Sequence, residues 1–153
     1  MLVVMTSWLD PDEQRTWRAY LTASRALMEM LDRELQRDAG MPHAYYEILV
    51  RLSEAPDRRL RMSDLADATG SSRSRLSHAA ARLEASGWLR REECPTDRRG
   101  QVAALTDAGF AALAAAAPGH VEGVRRHLFD ALSPAQVDQL RRISETLADH
   151  LTG

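Results

Sequence analysis

The segment that most restricts the fold is MSDLADATGSSRSRLSHAAARLEASGW, residues 62–88. Ser63 is placed to cap a short helix that includes Leu65 and Ala66. Gly70 marks a turn, and Ser71 or Ser72 caps a second helix running to about Ser86, with Gly87 just past its end. A helix-turn-helix asks for three things in order. A small residue stands where the two helices meet, a residue tolerant of positive φ follows four positions later, and an apolar anchor comes six positions after that. Ala66, Gly70 and Leu76 meet these demands, with Leu65, Ala79 and Leu83 adding core contacts.

The flanks extend the pattern. WLRREEC and QVAALT read as two short strands around the turn PTDRRG, and a helix-turn-helix followed by a hairpin is a winged helix. Upstream, Asp10, Pro11 and Glu13 form a helix-start signature. Trp17, Tyr20, Leu21, Ser24, Leu27, Met28, Leu31 and Leu35 then recur at helical spacing to an end near Gly40. Pro42 opens a helix with Tyr45, Ile48, Leu49 and Leu52 on one face. It stops before Pro56, and DRRLR follows with room for a short extended piece. Downstream, Thr106 caps a helix from Asp107 to about Ala131 that Pro118-Gly119 is expected to bend or interrupt. Ser133-Pro134-Ala135-Gln136 is a capping box for a last helix striped by Val137, Leu140, Ile143, Leu147 and Leu151. The expected fold is mainly α with a small β-hairpin wing, residues 1–153 forming a single domain.

Charge is distributed unevenly. The chain carries −2 overall, and all 20 of its cations are arginine. Between Ser71 and Gly100 seven arginines face four acids, a local +3 that leaves −5 on the remainder. An anion-binding segment on an acidic body is the implied footprint. One cysteine rules out an internal disulfide framework and suits a reducing cytoplasm, the expected location. No apolar run reaches membrane-spanning length, and MLVVM lacks the basic flank and long apolar region of a signal peptide. The stretch EECPTDRRGQVAALT leaves three readings open: a redox or metal site built on Cys94, a solvated hairpin turn, or a basic finger that touches an anion.

The order of elements, with LADATGSSRSRLSHAAARLEASGWLRR and DRRGQVAALTDAG as its most specific parts, resembles the MarR family of bacterial transcription regulators. Ala103 and the row Ala79-Ala80-Ala81 depart from the family toward smaller side chains. The resemblance implies a winged helix-turn-helix lobe over residues 41–106, flanked by helical dimerisation regions at 1–40 and 107–153. It implies that Ser72, Arg73, Ser74, Arg75, Ser77 and His78 lie at the DNA-reading end of the recognition helix. Arg82 would meet phosphate or the neighbourhood of Glu84. Arg99 would reach the minor groove or its phosphates, Arg98 would offer a second phosphate contact, and Asp97 would pair with an arginine to hold the loop, with Gly100 allowing the turn back. The implied partners are double-stranded DNA, a second copy of the chain and a small-molecule effector, with no membrane, cofactor or metal.

Many members of that family sense an aromatic acid, and Arg15, Trp17, Tyr20, His43, Tyr45 and Tyr46 are the candidates here, though several also sit in core stripes. The expectation is a ligand-released repressor. Two alternatives remain: a winged-helix protein-interaction module without DNA binding, and a redox-sensing regulator using Cys94. His120 and His127 share a helical face, but no further ligand joins them at metal spacing. Catalysis is not expected, since no orienting acid accompanies Ser74 and His78, and neither a phosphate loop nor a nucleophile elbow occurs.

Overall fold

Helix α1 (Pro11–Ala39) starts where the Asp10 carboxylate accepts from the backbone N–H groups of Asp12 and Glu13, while the Glu13 side chain accepts from Asp10 N–H. It stops at Gly40, whose φ of 61° closes the last turn. The computed structural model describes residues 7–94 and 97–153; for Asp97, Arg98 and Arg99 it describes the backbone alone. Helix α2 (His43–Glu54) follows, with Pro42 at the cap position rather than inside the helix. A single 3₁₀ turn, Pro56–Arg58, carries Asp57 and Arg58 at φ of 53° and 55°, and delivers the chain to strand β1 (Arg59–Arg61). There the Arg58 guanidinium packs 3.9 Å above the Phe110 ring.

Helices α3 (Met62–Ala68) and α4 (Arg73–Ala85) are joined through Gly70 at φ 59°. The expected cap at Ser63 is not made. Helix α3 begins two residues earlier, straight from β1, so Arg61 takes the cap position without a side-chain bond and the Ser63 hydroxyl turns to Asp64. Strands β2 (Leu89–Cys94) and β3 (Asp97–Leu105) form the hairpin, and β1 adds to its other side to give an antiparallel sheet in the order β1-β3-β2. Arg91 lies opposite Ala103, and Leu60 also lies opposite Ala103 on the other edge. Asp97 to Gly100 thus belong to the returning strand rather than to the turn; of the expected turn, Pro95 and Thr96 lie outside the described residues.

Helix α5 (Asp107–Val124) runs through Pro118 without ending there. Proline removes one donor from the ladder, and the helix carries that loss. Its regularity fails later, in a π-helical turn at Arg125–Phe129. Helix α6 (Pro134–Thr152) opens on the Ser133–Gln136 capping box.

The core sits in the middle of the chain. Leu49, Leu52, Leu65, Leu76, Leu83 and Leu89 are fully buried, closed by Met41, Ile48, Ala80, Ala103 and Leu113. Each such leucine contributes about 1.5–3 kcal/mol from burial. Ala79, Ala80 and Ala103, the small residues of the sequence, lie in or against this core, where Ala80 and Ala103 are fully covered. Helix α1 contributes only its C-terminal half, through Leu31 and Leu35, and α6 buries no residue at all. Among the described residues no helix is long and apolar enough to cross a membrane.

Candidate nucleic-acid interface

Helix α4 presents its N-terminal end outward. The Ser72 hydroxyl accepts from the Arg75 N–H at 3.2 Å and so caps the first turn. Burial of Leu76, Ala80 and Leu83 fixes which side of the helix faces in. Ser72, Arg73, Ser74, Arg75, Ser77, His78 and Arg82 are consequently exposed. Among the described residues no carboxylate comes within ion-pair distance of Arg73, Arg75 or Arg82. Their charges are uncommitted, unlike those of Arg58, Arg59, Arg90 and Arg91, which each hold an acid. The acid near Arg82 in sequence, Glu84, is engaged by Arg91 instead.

The wing follows the other end of the helix, where Arg91 of β2 bonds Glu84 in the last turn of α4. Arg59 and Arg90 grip the Glu92 carboxylate from two strands, at 2.9 and 2.7 Å. The backbone of Asp97, Arg98, Arg99 and Gly100 lies in β3; the side chains of Asp97, Arg98 and Arg99, and so their expected roles, fall outside the described residues. Cys94 ends β2 with 6% exposure. It is packed into the protein, a position that suits an inert thiol better than a reactive one.

The base of the lobe is tied to α5. The Thr106 hydroxyl donates to the Gly87 carbonyl at 2.6 Å and accepts from the Gly109 N–H at 3.0 Å. A Cβ at Gly109 would stand 2.0 Å from the Trp88 carbonyl oxygen, so only glycine allows this approach. The end of the recognition helix and the start of α5 are therefore one joint.

The six candidate ligand residues separate into two places. Arg15, Trp17 and Tyr20 lie on the exposed half of α1, where Arg15 pairs with Asp12 and the two rings stack at 6.3 Å. Trp17 and Tyr20 line an apolar groove of about 650 Å³ with Leu9 and with Ile143, Leu147 and Leu151 of α6. His43 and Tyr46 instead meet His120 of α5, with ring centroids 5.4 and 4.4 Å from it; Tyr45 is half-buried against the core. The sequence offers His120 only as a metal candidate beside His127, because it is 77 residues from His43 and no local pattern links the two. The His120 Nδ1 is buried without a hydrogen-bond partner among the described residues, and burial, followed by the neighbouring His43, holds its pKa below the usual imidazole value. Beside it a cavity of about 60 Å³ separates α1 from α5, lined by Leu31, Glu34, Leu35, Asp38 and His120. His127 and Arg126, neighbours in the π turn, both bond the Glu34 carboxylate at 2.8 Å and hold its pKa below the usual carboxylate range. His120 and His127 thus face different partners, and no group of three metal-ligating side chains stands together among the described residues.

A helix-turn-helix with an exposed capped end and a three-stranded wing defines a winged helix-turn-helix protein. The MarR family model matches residues 39–100, from the end of α1 into the wing. Sco3205, a MarR family transcriptional regulator from Streptomyces coelicolor crystallised with DNA, is 53% identical and superposes with a TM-score of 0.93 over 98% of this chain and 94% of its own. AbsC, another MarR family transcriptional regulator from that organism, is 45% identical, with a TM-score of 0.90 over 97% of this chain and 99% of its own. The transcriptional repressor MprA of Escherichia coli (strain K12) is 31% identical over 112 residues, which are 73% of this chain and 63% of MprA, so the chain spans less than two thirds of that repressor. The chain belongs to the MarR family of transcriptional regulators.

Proposed function

We propose that the protein is a homodimeric, sequence-specific DNA-binding repressor that occupies a palindromic operator and is released by a small aromatic acid. The observation that carries the DNA-binding part is the exposed end of α4, where a capped helix N-terminus coincides with Arg73 and Arg75, neither of them paired among the described residues. A helix N-terminus favours phosphate, and an arginine fork reads guanine O6 and N7 for about 1–3 kcal/mol of discrimination. Residues 41–106 form the reading lobe, with Arg98 and Arg99 supplying wing contacts and Asp97 holding the loop. Residues 1–40 and 107–153 form the dimer, through the apolar face shared by Trp17, Tyr20, Ile143, Leu147 and Leu151. Two-fold symmetry then sets half-site centres roughly 34 Å apart.

The candidate effector residues divide along the same line. Trp17 and Tyr20 belong with the dimer face, whereas His43 and Tyr46, joined by His120, sit where α2 of the reading lobe meets α5. An aromatic acid bound there acts on the spacing of the two recognition helices.

The test is an anisotropy titration of the purified dimer on duplexes from the region upstream of its own gene, at several salt concentrations. Specific binding whose affinity falls steeply with salt is expected. Arg99→Ala weakens binding to all sequences, while Arg73→Ala and Arg75→Ala also relax sequence preference. Unchanged affinity in all three variants sinks the docking face, and an affinity indifferent to saturating benzoate-type acids sinks the release step.

A further inference from the structure

The recognition helix and the wing are separate readers on separate elements, and their relative angle must be held by something. The apolar contacts of Leu83, Trp88 and Leu89 join α4 to β2, but apolar packing is not directional. The hairpin is long enough for this to matter. The six residues of β2 span about 20 Å, so a swing of about 10° at Leu89 moves the far end of the strand by about 3 Å. That exceeds the tolerance of a hydrogen bond.

Backbone hydrogen bonds such as Trp88 N–H to the Leu83 carbonyl fix the connecting turn; beyond it, among the described residues, one side-chain contact is directional. Glu84, in the last turn of α4, accepts three hydrogen bonds from Arg91 of β2: Nε at 3.0 Å and Nη2 at 2.7 Å onto Oε2, and the backbone N–H at 3.1 Å onto Oε1. Strand β2 is the sheet's edge, so the carboxylate also satisfies an N–H that has no strand beside it. The pair is partly exposed, with 38% and 25% of the two side chains accessible. An exposed pair of this kind does little for stability, whereas three donors converging on one carboxylate define an orientation.

We infer that Glu84 is a positioning residue for DNA recognition, a clamp that sets the angle between the recognition helix and the wing through Arg91. This rests on the DNA-binding reading above. It also makes a prediction whose sign opposes simple electrostatics. Removing an acid from a DNA-binding face by charge alone strengthens binding to a polyanion. Loss of the clamp weakens it.

The experiment is operator anisotropy with the full-length dimer, comparing wild type, Glu84→Gln, Arg91→Gln and the double variant, whose net charge equals that of wild type. Glu84→Gln is expected to lose on the order of 5- to 10-fold in operator affinity. Its affinity for random duplex holds or rises, and its melting temperature is nearly unchanged. The double variant is expected to stay as weak as the worse single variant. Equal or tighter operator binding by Glu84→Gln, or recovery of wild-type affinity in the double variant, overturns the clamp. The angle is read independently of DNA by electron-electron resonance between spin labels at Ser77→Cys and Gln101→Cys in a Cys94→Ala background. With labelled subunits diluted into an excess of unlabelled protein, so that the intra-subunit pair is read, a narrow distance that broadens with Glu84→Gln supports the clamp, and an unchanged distribution overturns it. If wild type fails to bind any operator duplex, the DNA-binding reading falls and the distance measurement alone decides the clamp.

Discussion

Helix α4 and helix α6 are both amphipathic and both begin with a capping serine, yet they end up in opposite surroundings. Leu76 and Leu83 of α4 are buried to 1% and 0%, whereas Ile143 and Leu151 of α6 stay 57% and 77% exposed. The first half of α1 behaves like α6, with Trp17 and Tyr20 more than half exposed, while its second half buries Leu31 and Leu35. An apolar stripe at helical spacing therefore states that a face is to be covered and leaves open what covers it. In this chain the stripes of α2, α3 and α4 are covered by one another, by the sheet and by Leu35, Leu113 and Ala116 of α1 and α5. The long helices hold theirs out for a second subunit, in the proposed dimer.

The strongest way to break the contrast is to damage one region and watch the other. Leu83→Ala should lower stability by about 2–5 kcal/mol in urea denaturation, by the same amount at every protein concentration. A loss that disappears at high concentration would mean that the lobe also depends on its partner. Ile143→Asp with Leu147→Asp should do the reverse: sedimentation velocity should show association weakened about 100-fold or more, with the lobe still folded in far-ultraviolet circular dichroism. Persistent dimers in that variant would place the interface elsewhere. Gly109→Ala attacks the joint between the regions. The added methyl meets a backbone carbonyl, so a cost of about 1–3 kcal/mol is expected in the same denaturation assay.

The smallest effect sharpens the comparison through pH. His120 and Glu34 both lie at the α1–α5 seam, and both have folded-state pKa values below their unfolded ones. For each, the unfolded chain binds the proton more readily, so stability is full above the unfolded value and falls as pH drops toward the folded one. The His120 contribution starts to fade below about 6.5, and that of Glu34 only below 4.5. Urea midpoints measured from pH 7.5 to 4 should decline in two stages, with His120→Gln removing the first. A flat profile between pH 7 and 5 in wild type would show that His120 is not linked to folding.

Most of what was legible in the sequence is local. The caps at Asp10, Ser72, Thr106 and Ser133 were readable because a cap joins residues two or three apart. Gly70 was readable because its positive φ follows from helix-turn-helix geometry. Ser63 misled for the same reason: it resembles a cap, but β1 runs straight into α3 and takes the position. The contacts that organise the site were not legible. Glu84 reaches Arg91 only because the hairpin folds back along α4, and His43 meets His120 only through the packing of α2 on α5. Such contacts depend on topology, which no spacing rule states. The division of the aromatic candidates into two places has the same origin.

The approach of Gly109 to the Trp88 carbonyl also says how this joint tolerates change over generations. Ten residues along the same helix, Gly119 has open space where a side chain would begin. Drift can replace Gly119 freely and even gain helix stability by doing so, since alanine outranks glycine by about 1 kcal/mol inside a helix. At Gly109 every alternative begins with an atom already inside another, so selection admits one residue there. A saturation library should separate the two glycines more sharply than any pair of leucines in the core, whose neighbours can shift to make room.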